Sequence, residues 1–110
     1  IYDPATDTWD ATKTNMPTAR VELCVAAVNG KIYAIGGAVS HIGAALGVVE
    51  EYDPLTDTWT AKSSLPTARK GAAYCVIDGK IYFGELTHYP NSGTSRFEPN
   101  SFDFELGEYW

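Results

Sequence analysis

Residues Glu51–Trp59 read EYDPLTDTW, and residues Ile1–Trp9 read IYDPATDTW. Trp59 minus Trp9 and Tyr52 minus Tyr2 both give a spacing of 50. Two further strings recur in the same order. MPTAR (Met16–Arg20) returns as LPTAR (Leu65–Arg69), and NGKIY (Asn29–Tyr33) returns as DGKIY (Asp78–Tyr82), each at a spacing of 49. Self-similarity at such a period marks stacked units that cannot bury their apolar faces alone. The 110 residues hold a little over two such units.

Between these marks the chain alternates strand and turn. Asp3-Pro4 and Asp53-Pro54 open turns, because Pro presets φ and Asp bonds nearby backbone. Val21–Val28 (VELCVAAV) is an apolar β run suited to burial on both faces. Asn29-Gly30 and Asp78-Gly79 are two-residue hairpin turns, which need positive φ at both positions. One unit then has four strands: a (21–28), b (31–35), c (48–52) and d (58–62). Tight turns join a to b and c to d. Longer connections, b to c and d to the next a, emerge on the opposite edge. No stretch has the periodicity of an amphipathic helix, so the fold class is all-β. After Phe83 the likeness weakens. Leu86–Ser101 (LTHYPNSGTSRFEPNS) reads as a long polar connection, and Phe102–Trp110 as a weak third copy of the opening motif.

Composition narrows the function. The chain carries a net charge of −6, and its eight basic residues are scattered rather than aligned. That argues against nucleic acid as a partner. No apolar run reaches the length of a membrane span. No signal peptide is visible, so a cytoplasmic location is expected. Cys24 and Cys75 lie in apolar strands and read as buried free thiols. No zinc-site spacing, P-loop, GxSxG or HExxH occurs.

The combination of NGKIYAIGG, VVEEYDPLTDTW and LPTAR resembles the Kelch repeat, whose known length is about 50 residues. The resemblance covers about residues 1–83 and fades beyond. It implies four-stranded antiparallel blades of a β-propeller, with strand a nearest the central axis and d outermost. On this reading residues 1–15 are outer strands of one blade, 16–65 a complete blade and 66–110 a second, degenerate blade. Two-and-a-part blades cannot close a ring. The chain is then a piece of a longer propeller, or several copies assemble into one as a homo-oligomer.

The family resemblance also implies roles. Gly36-Gly37 would end strand b near the axis, where backbones approach closely. Tyr52 and Trp59 would pack between blades. The family's binding surface usually lies at the mouth of the central funnel, on the edge of the long connections. Candidate ligand-face residues there are Arg20, Glu22, His41, Arg69, Lys70, His88 and Arg96, with Glu85 and Glu98 nearby. For Arg20 and Arg69 two readings stand: an ion pair or a hydrogen bond to a neighbouring blade's backbone, or a ring of Arg at the mouth of the funnel. The expected function is a non-catalytic module that binds a protein or peptide through the b–c and d–a loops, without cofactor or metal. The alternative is a sugar-binding enzyme. Galactose oxidases need a Tyr–Cys pair and His ligands, for which no spacing is present. A sialic-acid mutarotase would use Arg and Glu at the funnel, here Arg20, Glu22 and Arg69.

Overall fold

A computed structural model describes residues 1–84, and the strand backbones of 86–89, 94–97 and 104–105. It contains the strands β1 (Tyr2–Asp3), β2 (Thr8–Trp9), β3 (Cys24–Val28), β4 (Lys31–Ile35), β5 (Val49–Asp53) and β6 (Thr58–Ala61). They are followed by β7 (Ala73–Ile77), β8 (Lys80–Gly84), β9 (Leu86–Tyr89), β10 (Thr94–Phe97) and β11 (Phe104–Glu105). β3-β4-β5-β6 form a four-stranded antiparallel meander, the propeller blade. β7-β8, extended by β11, form a second sheet, and β1-β2 pair by themselves.

Local chemistry sets these elements. Asn29 and Gly30 sit at φ 51° and 77°, and Asp78 and Gly79 at 51° and 76°. Both pairs thus take the left-handed conformations that a tight hairpin requires. In the c–d turn the Asp53 carboxylate accepts from the Leu55 N–H, and Asp57 takes φ 52°. The same two features recur at Asp3 and Asp7.

The core lies between the two sheets. Cys24, Ala26, Val28, Ile35 and Val49 from one face of the first blade meet Leu65, Ile81 and Phe83. Burying a side chain such as Ile35 or Phe83 stabilises by roughly 1.5–3 kcal/mol. The Cys24 thiol donates to the Ala72 carbonyl at 3.1 Å, and burial pushes its pKa up. Further out on the same face polar groups take over. Tyr33 Oη donates to Glu51 at 2.7 Å, with Lys31 and Lys62 beside that carboxylate. Burial and the Glu51 bond push the Tyr33 phenol up to about 12.

The aromatic landmarks pack as the repeat requires. Tyr52 and Trp59 are cross-strand partners with ring centroids 5.0 Å apart, and Tyr52 is buried. The Trp59 indole donates to the Thr14 carbonyl at 3.0 Å, and the Thr14 N–H and hydroxyl both donate to Asp57. Thr14 is thereby fastened to the outer edge of the blade. Tyr2 and Trp9 repeat the ring contact at 5.0 Å, in the open.

Four expectations are corrected. Strand a begins at Cys24 rather than Val21, because Glu22 turns to φ 55° and leaves only a Val21–Ala38 bridge ahead of it. That strand is buried on one face only. Cys24, Ala26 and Val28 face the second sheet, while Val25 and Ala27 are exposed. Cys75 is exposed rather than buried, since no described residue packs on that face of β7. Residues 86–97 hold an antiparallel hairpin, β9-β10, rather than an extended connection. The Phe102–Asp103 and Trp110 echoes lie outside the described residues. β11 pairs Glu105 with Tyr82, as Glu51 pairs with Tyr33, so Glu105 stands where Glu51 stands in the first blade.

Candidate functional site

The b–c loop of the first blade, residues 36–48, is the hub of the edge opposite the tight turns. It begins at Gly36 and Gly37, with φ 66° and 97°. A Cβ at Gly36 would lie 2.5 Å from the Arg69 carbonyl oxygen, and one at Gly37 would lie 2.6 Å from that of Val21. Only glycine accommodates both the left-handed backbone and this approach.

Backbone bonds radiate from that point. Gly37 N–H donates to Arg69 O at 2.8 Å, Leu46 N–H to Gly37 O at 2.7 Å, and Arg69 N–H to Leu46 O at 3.3 Å. Val21 and Ala38 exchange bonds of 2.8 and 2.9 Å. Leu65 N–H donates to Gly47 O, and Gly71 N–H to Glu22 O. The b–c loop, the start of strand a and the d–a connection to the next blade form one hydrogen-bonded frame. A rigid frame of this kind lets loops carry specific contacts.

On this frame Glu22, His41 and Lys70 come together. His41 Nδ1 lies 3.8 Å from a Glu22 carboxylate oxygen. Lys70 Nζ donates to the His41 carbonyl at 3.0 Å and to the Gly43 carbonyl at 2.9 Å. Arg69 is half-buried at the same edge, and its backbone forms part of the frame.

Arg20 is placed differently. Its side chain has 0% exposure and forms a 2.7 Å ion pair with Glu50. Its guanidinium also donates to the carbonyls of Thr18, Ala34, Gly36 and Val48. Thr18 Oγ1 donates to the second Glu50 oxygen at 3.0 Å. The hydrogen-bond partners of both charges are therefore inside the protein. Arg20 fastens the end of β4 to the start of β5 and offers nothing to a ligand. Of the readings of this residue the ion pair describes it, and its backbone bonds go to its own blade rather than to a neighbouring one.

The side chains of His88 and Arg96 lie outside the described residues, as do Glu85 and Glu98. The sequence reading missed Glu50 as the partner of Arg20. It also missed two apolar residues at the loop tip, Val39 and Ile42, which are 69% and 98% exposed. The signal for Glu50 was a carboxylate inside the apolar run VVEEY. The signal for the tip was an Ile and a Val flanking His41 in a loop of small residues. Among the described residues no group of three or more His, Cys, Asp or Glu could hold a metal ion. No described helix is long and apolar enough to cross a membrane.

Comparison with known proteins agrees with the architecture. Residues 19–66 match the Kelch motif. Residues 59–110 also match the TupA-like ATPgrasp family, although β7, β8 and the turn between them repeat β3, β4 and their turn in the first blade. Kelch-like protein 26 of Danio rerio is 38% identical over 97 residues, which cover 86% of this chain and 16% of that protein. Kelch-like protein terF of Aspergillus terreus is 42% identical over 107 residues, covering 87% and 23%. F-box protein AFR of Arabidopsis thaliana is 37% identical over 86 residues, covering 72% and 23%. The solved structure of YjhT superposes with a TM-score of 0.58 at 26% identity, over 69% of this chain and 24% of that one. The chain therefore spans less than a quarter of the length of each of these proteins.

Proposed function

The chain belongs to the Kelch-repeat family, and from that premise we propose that it is a non-catalytic interaction module. Its b–c and d–a loops contact a protein or peptide partner. The observation that carries this reading is the hydrogen-bonded frame around Gly36 and Gly37. It holds Glu22, His41 and Lys70 at one edge, fixed relative to one another. Such a frame reduces the ordering cost of binding.

The sugar-enzyme alternative relies on Arg20, Glu22 and Arg69 together. Arg20 is fully occupied by Glu50 and by backbone carbonyls, which removes one of the three. Anomerisation of sialic acid, followed by NMR, tests the alternative directly. A rate enhancement that disappears on Arg69→Ala would overturn the interaction reading.

The preferred reading is tested by quantitative affinity capture with two variants of the chain. Glu22→Ala with His41→Ala should remove the captured partner. Leu55→Ser, on the tight-turn edge, should retain it. Equal capture by both variants would refute the assignment of function to the loops.

We further infer that the exposed faces of the blades, with Val25 on one and Cys75 and Ile77 on another, are covered by additional blades. These belong to a longer chain or to further copies of this one.

A further inference from the structure

The tip of the b–c loop has a shape that the interaction reading does not use. Ser40 and Gly43 close a turn at the tip, with Gly43 N–H donating to Ser40 O at 3.0 Å. Ile42 projects from it at 98% exposure and Val39 at 69%. A branched aliphatic side chain so fully exposed gains nothing for the fold of this chain.

The tip is also held still. The Val21–Ala38 bridge ties its base, and Lys70 ties its middle through the carbonyls of His41 and Gly43. Most of the ordering cost of presenting Val39 and Ile42 is met before any partner arrives.

The charges at its base are not equivalent. The ammonium of Lys70 is turned onto two carbonyls of the loop. The Glu22 carboxylate, by contrast, meets only the exposed His41 ring among the described residues. A basic group approaching the tip thus finds an acceptor that is not already saturated.

Resting on the interaction reading above, we infer that residues 39–42 form an insertion finger. Val39 and Ile42 enter a concave apolar pocket on a folded partner protein, and Glu22 pairs with a Lys or Arg on the rim of that pocket. A small polar ligand does not fit these observations, because ligand sites are concave and this feature is convex. Hot-spot anchors are more often Trp, Tyr or Arg, but an aliphatic side chain filling a pocket with a polar rim serves the same purpose.

The test uses the full chain and a ribosome-display library of repeat proteins with concave randomised faces. Independent binders are selected on the unmodified chain. Their dissociation constants are then measured against Val39→Ser, Ile42→Ser, Glu22→Gln and Leu55→Ser. Thermal melts confirm that each variant is folded. The finger predicts that most binders weaken by about tenfold or more on Ile42→Ser and are unaffected by Leu55→Ser. It also predicts that Glu22→Gln weakens binding more at low salt than at high salt. Binders that tolerate both tip substitutions overturn the finger. If those binders instead lose affinity on substitution in the d–a connection, the broader interaction reading survives. If they are sensitive only to Leu55→Ser, both readings fail together.

Discussion

The guanidinium of Arg20 and the carboxylate of Glu50 meet at 2.7 Å, and their side chains are 0% and 7% exposed. The two residues stand on either side of the double glycine, and the pair spans the point from which the b–c loop departs. Arg20 also donates to the Gly36 and Val48 carbonyls, so the pair ties the two ends of that loop together.

Truncating one partner strands the other. Arg20→Ala leaves Glu50 buried without its cation and should cost about 3–5 kcal/mol in urea unfolding. Arg20→Lys should recover only part of the loss, since one ammonium cannot serve Glu50 and the carbonyls of Ala34 and Gly36 together. Replacing both partners, as Arg20→Met with Glu50→Leu, should be much milder than Arg20→Ala. Equal losses in the single and double variants would contradict the pair's role.

Gly37 and Gly30 both have positive φ, yet they should respond differently to alanine. At Gly30 a Cβ would meet nothing within 4 Å, so the cost is the backbone preference alone, about 1 kcal/mol. At Gly37 the new Cβ would lie 2.6 Å from the Val21 carbonyl oxygen, and the bridge to Ala38 must open. Gly37→Ala should therefore lower the melting temperature well below that of Gly30→Ala. Similar melting temperatures would argue against the close approach.

Glu51 gives a pH signature. The Tyr33 hydrogen bond first, and then the charges of Lys62 and Lys31, hold its carboxyl below the ordinary glutamate value. A depressed folded-state pKa contributes stability above the unfolded value, about 4.3, and loses it as pH falls through the folded value. Tyr33→Phe removes the largest of these causes. The variant should be less stable at pH 7, and the gap should narrow below about pH 4. A gap that stays constant across that range would mean the bond does not favour the carboxylate.

The two copies of the aromatic motif should separate in the same experiment. Trp59→Phe loses the indole bond to Thr14 and should cost about 1 kcal/mol. Trp9 is 77% exposed, so Trp9→Phe should stay within about 0.5 kcal/mol. The motif is the same, but among the described residues only the Trp59 copy has a neighbouring segment against it.

Much of the fold was legible because its signals are local. Asn29-Gly30, Asp78-Gly79 and Gly36-Gly37 each specify a backbone conformation that few other residues take, and the structure places each where that conformation is needed. The start of strand a was not legible, because Glu22 at φ 55° breaks an otherwise apolar β run. Nor was the exposure of Cys75, since that depends on what packs against β7 and not on the strand itself. The hairpin at 86–97 was hidden by polar composition, although PNSG at 90–93 is turn chemistry. At the candidate site, the gathering of Glu22, His41 and Lys70 on one edge followed from the order of strands and loops. The identity of Arg20's partner did not, because Glu50 lies on β5, the third strand after it, and is chosen only when the sheet closes.

The most direct test of the interaction assignment is the dissociation constant of a purified partner, measured by biolayer interferometry on paired variants. One variant carries Glu22→Ala, His41→Ala and Ile42→Ser at the loop edge, and the other carries Leu55→Ser and Asp78→Ala at the tight-turn edge. The interaction reading predicts binding weakened by about tenfold or more in the first and changed by less than about twofold in the second. Undiminished binding by the loop-edge variant, with loss in the tight-turn variant, would contradict it.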